Sequence, residues 1–228
     1  MKKRLFMVLW LVCCIMFWVG CSDNGNDGKG ENGGGGTGHI GENLHLSGQV
    51  WVFYWEAEER VYGQFTETLA ISSFGVNGTV ADGQLSFTIG TPNSSQLINV
   101  SEWIENGYGF WFESITASDN ATMMAELRYF DITDNKQLYR SHYWRDSENS
   151  QVDQMVSYIY VDRDVSIIGK GKSHNTYWLG NYTTKDFTLN LKKGWNVING
   201  KEEGCEDGTT VLFSEGDVIN ARWILGEL

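Results

Sequence analysis

The chain has 228 residues, 17 Lys and Arg against 29 Asp and Glu for a formal charge of −12, and 14% aromatic residues. Proteins hold nucleic acid and anionic headgroups by neutralising phosphates with Lys and Arg, so this balance excludes both as partners. The acids are not gathered into one block, which reads as a soluble, self-repelling surface.

The N-terminus opens with Lys2, Lys3 and Arg4, then runs without charge from Leu5 to Val19 (LFMVLWLVCCIMFWV). That run is of secretory-signal length, short of the ~20 residues a helix needs to cross a bilayer core. It ends Trp18-Val19-Gly20-Cys21. Gly20 followed by Cys21 resembles the lipobox of bacterial lipoproteins, with Trp18 standing where that family usually carries Leu. The resemblance implies that residues 1–20 are a signal peptide and that Cys21 becomes an acylated (palmitate-type) N-terminus. The protein would then be anchored to a bacterial membrane in the cell envelope, on a periplasmic or surface face. From the residues alone, an uncleaved signal anchor and an ordinary signal cut elsewhere stay open. Cleavage before Cys21 would leave 14 basic residues against 29 acids, a charge of −15. It would also remove Cys13 and Cys14, so no disulfide framework is implied.

Residues 21–43 read as a flexible tether. Nine of the 22 residues from Ser22 to Asn43 are Gly, and Ile40 is the one large apolar side chain. Such a segment buries too little to offset its ordering entropy, and as a coil it reaches roughly 25 Å. GGGGTG at 33–38 spells G-x-G-x-x-G, but no strand precedes it and no helix follows. DNGNDG at 23–28 lacks the ligands of a calcium loop.

Residues 44–228 are long enough for one domain with its own core. Their apolar period is two: Leu85, Phe87 and Ile89; Met123, Ala125, Leu127 and Tyr129; Phe187, Leu189 and Leu191; Ala221, Trp223 and Leu225. Strands are predicted at 46–55, 62–72, 84–90, 108–114, 122–132, 137–144, 154–161, 165–169, 176–179, 185–191, 194–199, 209–213 and 219–225. Turns are predicted at Asn77-Gly78, Asp82-Gly83, Asp134-Asn135, Asp162-Arg163, Lys193-Gly194 and Asp207-Gly208. Ser94 to Ile104, after Pro92, is the one candidate helix. The fold class is all-β, an antiparallel β-sandwich, with a lipocalin-like closed barrel as the alternative. The stretch from Phe187 to Ile198 also resembles a recurring hairpin in β-rich lipoproteins of spirochaete and Bacteroidota type, which implies a context and no activity.

Catalytic templates do not fit. Gly171-Lys172-Ser173 has Ser166 where a P-loop needs its first glycine, and His39, His45, His142 and His174 share no metal-ligand spacing. Neither a cofactor nor a metal is expected. Glu56, Glu58 and Glu59, and Asp162 and Asp164 around Arg163, read as solvated turn acids, with Ca²⁺ binding as the rival. Cys205 lies in an acidic turn that would raise a thiol pKa, so it reads as passive.

The aromatic residues stand above background, with Trp51, Phe53, Tyr54 and Trp55 on one predicted strand and Tyr143 and Trp144 on another. They are either a second packed layer or an exposed platform, and Trp51, Trp55, Tyr143 and Trp144 are the candidate ligand-binding residues. In the platform reading, alanine at Trp51 and Trp55 lowers affinity and leaves stability alone. The functional expectation is non-enzymatic binding of a glycan, peptide or protein. Alternatives are a polysaccharide or peptidoglycan hydrolase, needing converging carboxylates, and a lipid-carrying barrel.

Overall fold

The structure, a computed structural model, describes residues 38–56, 59–108, 111–132, 136–147, 150–176, 180–205 and 208–227. The signal segment, Cys21 and the rest of the chain to residue 37 lie outside the described residues. So do the Asp134-Asn135 turn and most of the predicted strand 176–179.

The strands in chain order begin with β1 (His39–Gly41), β2 (Leu44–Glu56), β3 (Glu59–Gln64), β4 (Leu69–Ser73), β5 (Val76–Ala81) and β6 (Gln84–Ile89). The predicted helix breaks up into a 3-10 turn (Ser94–Gln96), β7 (Ile98–Asn99), the one-turn helix α1 (Val100–Trp103) and a π turn (Ile104–Tyr108). Next come β8 (Ser114–Ala117), β9 (Met123–Leu127), β10 (Tyr129–Ile132), β11 (Lys136–Ser147), β12 (Ser150–Val161) and β13 (Val165–Lys170). The chain finishes with β14 (Ser173–Thr176), β15 (Gly180–Thr184), β16 (Phe187–Leu191), β17 (Gly194–Cys205), β18 (Gly208–Glu215) and β19 (Arg222–Glu227).

The fold is all-β and sandwich-like. One large sheet runs β14-β15-β18-β17-β12-β11-β19-β2-β6-β5-β4, and a small sheet runs β16-β13-β8. Among the described residues the large sheet does not close on itself, so the barrel alternative is set aside. Most pairings are antiparallel as expected, but β19 pairs with β2 in parallel and β15 with β18 in parallel. The last strand inserts between β11 and β2, and the direction that fits there is set by a long return of the chain rather than by a hairpin.

Strand β2 is what doubles the sheet over. Its residues 44–49 pair with β6 and its residues 50–52 with β19, and Gly48 at the join has φ +141°, a conformation that side chains disfavour. The β4–β6 layer therefore lies across the main sheet. Between the two layers sit Leu46, Ile71, Val80 and Phe87 from one side and Phe130, Leu138, Val156, Trp195 and Trp223 from the other. The small sheet covers part of the opposite face, burying Ile167, Phe187 and Leu189 against Ile159 and Ile198. Strands β12 and β17 are thus covered on both faces along part of their length. Residues 156–161 and 194–199 are consequently buried without alternation, which is the mark of a strand between two layers.

Several turns fall where expected and others do not. Asp82-Gly83 makes a two-residue hairpin with left-handed φ at both positions. The β4–β5 hairpin turns instead at Phe74-Gly75 (φ 51° and 73°), and Asn77-Gly78 lies inside β5. Gly78 is needed there because a Cβ would sit 2.0 Å from the Phe87 ring. Asp162-Arg163 and Lys193-Gly194 are corners between sheets, since β13 and β16 pair with each other and not with β12 or β17. The stretch 187–198 is therefore a crossover between layers rather than a hairpin.

A groove across the covered-twice sheet

Beyond the edge of the small sheet, the same face of β12, β17 and β18 is left open, and the strand register explains the hollow found there. Met155 of β12 pairs with Gly200 of β17, which pairs with Phe213 of β18. In the next row Asp153 pairs with Glu202, which pairs with Val211. A glycine in the middle strand removes one side chain from the floor, leaving a cavity of about 200 Å³ flanked by Met155 and Phe213. A second hollow of about 200 Å³, walled by Trp111 and Tyr182, shares Arg128, Glu202, Val211 and Phe213 with the first. The two make one groove with an apolar floor and charged sides.

Each charged side chain has a distinct setting. Arg128, at the break between β9 and β10, forks onto Glu126, Nε to Oε1 at 2.6 Å and Nη2 to Oε2 at 3.1 Å. Trp103 Nε1 donates to the same carboxylate at 2.8 Å. Burial pushes Glu126 up to about 7, with the Trp103 hydrogen bond opposing the rise, and burial pulls Arg128 down. Asp153 is raised by burial, against the pull of Arg60, whose Nη1 lies 3.4 Å from Oδ2. Its Oδ1 is buried with no hydrogen-bond partner among the described residues. Glu202, although exposed at the groove's rim, is raised by partial desolvation, opposed by the Tyr182 hydroxyl that donates to it and reinforced by the Asp153 charge beside it. Directly opposed like charges on neighbouring strands are destabilising, so this pair is held at a cost to the fold.

The candidate aromatic residues occupy the continuation of this face. Arg222 lies 4.8 Å from the Trp51 ring centroid and 4.7 Å from Tyr62; Arg60 lies 4.7 Å from Phe53 and 4.1 Å from Tyr143. Trp51 and Tyr143 are therefore half-buried rings packed on guanidinium groups, and Arg60 links Tyr143 to the groove through Asp153. The side chains of Trp55 and Trp144 lie outside the described residues, as does that of Cys205.

The turn acids are engaged structurally. Asp162 Oδ1 accepts from the Met123 backbone at 3.0 Å and from Arg163 Nε at 3.1 Å; these bonds outweigh its partial burial and hold it below the usual carboxylate range. Asp164 accepts from Lys192 Nζ at 2.8 Å and the Lys193 backbone at 2.9 Å. Among the described residues no His, Cys, Asp and Glu side chains group as a metal site, and no helix is long and apolar enough to cross a membrane.

The sequence reading missed the groove. Gly200 was its one signal: an isolated glycine inside a strand pattern marks a close approach or a gap, yet it reads equally well as the end of the strand. Asp153 and Glu202 sit in polar stretches that resemble turns, and only the register brings them together. No protein-family model, curated protein or solved structure matches the chain.

Proposed function

We propose that this is a lipid-anchored envelope protein, tethered through Cys21, whose β domain acts as a non-enzymatic binding module, and that its ligand lies in the groove over Gly200. The observation that carries the reading is the groove itself: two joined hollows with an apolar floor and a few convergent polar groups, the usual make-up of a binding site. A platform at Trp51 and Tyr143 is less favoured, because guanidinium groups already occupy those ring faces.

Arrays of glycans and peptides, probed with the wild type, Gly200→Leu and Trp51→Ala, test this. The groove reading expects binding lost with Gly200→Leu and kept with Trp51→Ala; the reverse pattern moves the site to the aromatic face. The anchor is tested separately by Cys21→Ser, which should abolish acyl labelling.

One observation favours a hydrolase as the second reading: Asp153 and Glu202 stand side by side with raised pKa values. Glycosidases place their carboxyls on either side of the scissile bond, whereas these two rise from one floor. Turnover of an envelope polysaccharide that stops with Glu202→Gln would establish the hydrolase.

A further inference from the structure

We propose that the hollow over Gly200 seats one lysine side chain of a bound peptide or protein, its stem along Met155 and Phe213 and its ammonium between Asp153 and Glu202. The inference rests on the groove being the binding surface and names what the groove takes.

Size comes first. Drug-sized ligands fill pockets of roughly 300–1,000 Å³, and about 200 Å³ suits a single side chain. The lining comes next. Met155 is 41% exposed and Phe213 half-buried, so an occupant of this hollow lies against apolar surface for most of its length and meets charge at one end. Lysine has that form, a hydrocarbon stem under a compact ammonium with three donors. A bare metal ion would leave the apolar floor unused, and a sugar would set hydroxyls against it.

Charge decides the end group. Arg128 is engaged by both oxygens of Glu126 in the wall. Asp153 gives Oδ2 to Arg60 and leaves Oδ1 buried without a hydrogen-bond partner among the described residues. Glu202 receives the Tyr182 hydroxyl and no cation among the described residues. The charged side chains that line the groove are Arg128, Asp153 and Glu202, two acids against one base. A single ammonium, a compact charge with three donors, balances the extra acid and can serve both carboxylates.

The full mature chain carries three methionines, Met123, Met124 and Met155, and only Met155 lines the hollow. Methyl-labelled methionine in the chain from Ser22 onward, its initiator methionine set apart, therefore gives one reporter and two internal controls of folding. The probes are n-butylammonium, which is a lysine side chain cut free, with n-butanol, butyrate and glucosamine beside it. The expected result is a Met155 shift that saturates with n-butylammonium at the lowest concentration. Glu202→Gln and Asp153→Asn should each weaken it by about tenfold or more, leave n-butanol unchanged and leave the Met124 signal in place. Gly200→Leu should abolish the response to every probe. Equal binding of n-butanol and n-butylammonium, or selectivity that survives Glu202→Gln, overturns the lysine assignment and leaves the groove standing. Glucosamine binding tighter than n-butylammonium also overturns it, in favour of an amino sugar. No Met155 response to any probe, or a response untouched by Gly200→Leu, removes the groove reading as well.

Discussion

At the scale of single residues, the aromatic side chains divide into two roles that composition alone cannot separate. Trp195 is fully buried, packs edge-on to Phe74 (5.7 Å) and Tyr160 (5.6 Å), and donates Nε1 to the Gly90 carbonyl at 3.0 Å. It joins β17 to the layer folded over it, so Trp195→Ala should cost about 3–5 kcal/mol, read as a lower urea midpoint with little change in slope. Trp51 sits on the opposite face with Arg222 on its ring. Its neighbour in register, Ile224, is 1% exposed, so the ring belongs to a packed layer. Trp51→Ala should therefore cost about 1–2 kcal/mol, combining a partly desolvated cation–π contact with lost apolar area. Titration of the Met155 methyl should be unchanged. Full stability with impaired binding would instead restore Trp51 as a contact to ligand, as the sequence alone suggested.

At the scale of elements, the strands legible from sequence were those with one wet face. Leu85, Phe87 and Ile89 alternate cleanly because β6 lies on the outside of the fold. β17 does not alternate, since layers cover both its faces from Trp195 to Asn199, and its extension past Gly200 showed no periodic signal. Pairing order is less legible still. The parallel insertion of β19 and the separation of β16 from β17 depend on contacts far apart in sequence, which local patterns do not encode. The groove was illegible for the same reason, being a product of register across three strands. The predicted tether also ends sooner than its glycine content suggests. The Gly38 carbonyl accepts from the Val197 amide, β1 pairs with β17, and His39 Nε2 bonds the Lys193 carbonyl at 2.9 Å. A Cβ on Gly38 would lie 2.4 Å from the Val197 oxygen, so this glycine serves close packing. A chain starting at Leu44 should accordingly be less stable than one starting at Thr37, by about 1–2 kcal/mol for the lost backbone bonds. Equal denaturation midpoints would return residues 38–43 to the tether.

At the scale of the whole molecule, the buried acids set how stability answers to pH. Glu126 has its pKa raised from 4.5 to about 7 in the fold. Between those values the folded chain holds a proton that the unfolded chain has released, so stability falls as pH rises through this window. The contribution is complete below about 4.5, is gone above 7, and amounts to roughly 3 kcal/mol. Asp153 and Glu202, raised by partial desolvation, tilt the profile the same way but more weakly, since both side chains still meet solvent. His142 works against them: burial and the charge of Arg222 lower its pKa, so its contribution is lost as pH falls below 6.5. Comparison with one variant isolates the first term. Glu126→Gln keeps an acceptor for Trp103 and removes the titration, so denaturation midpoints of wild type and variant should diverge between pH 5 and pH 8, the wild type losing more. Parallel profiles would mean that the Arg128 fork outweighs burial and holds Glu126 ionised throughout, so that the groove wall keeps its matched charge pair across the whole range.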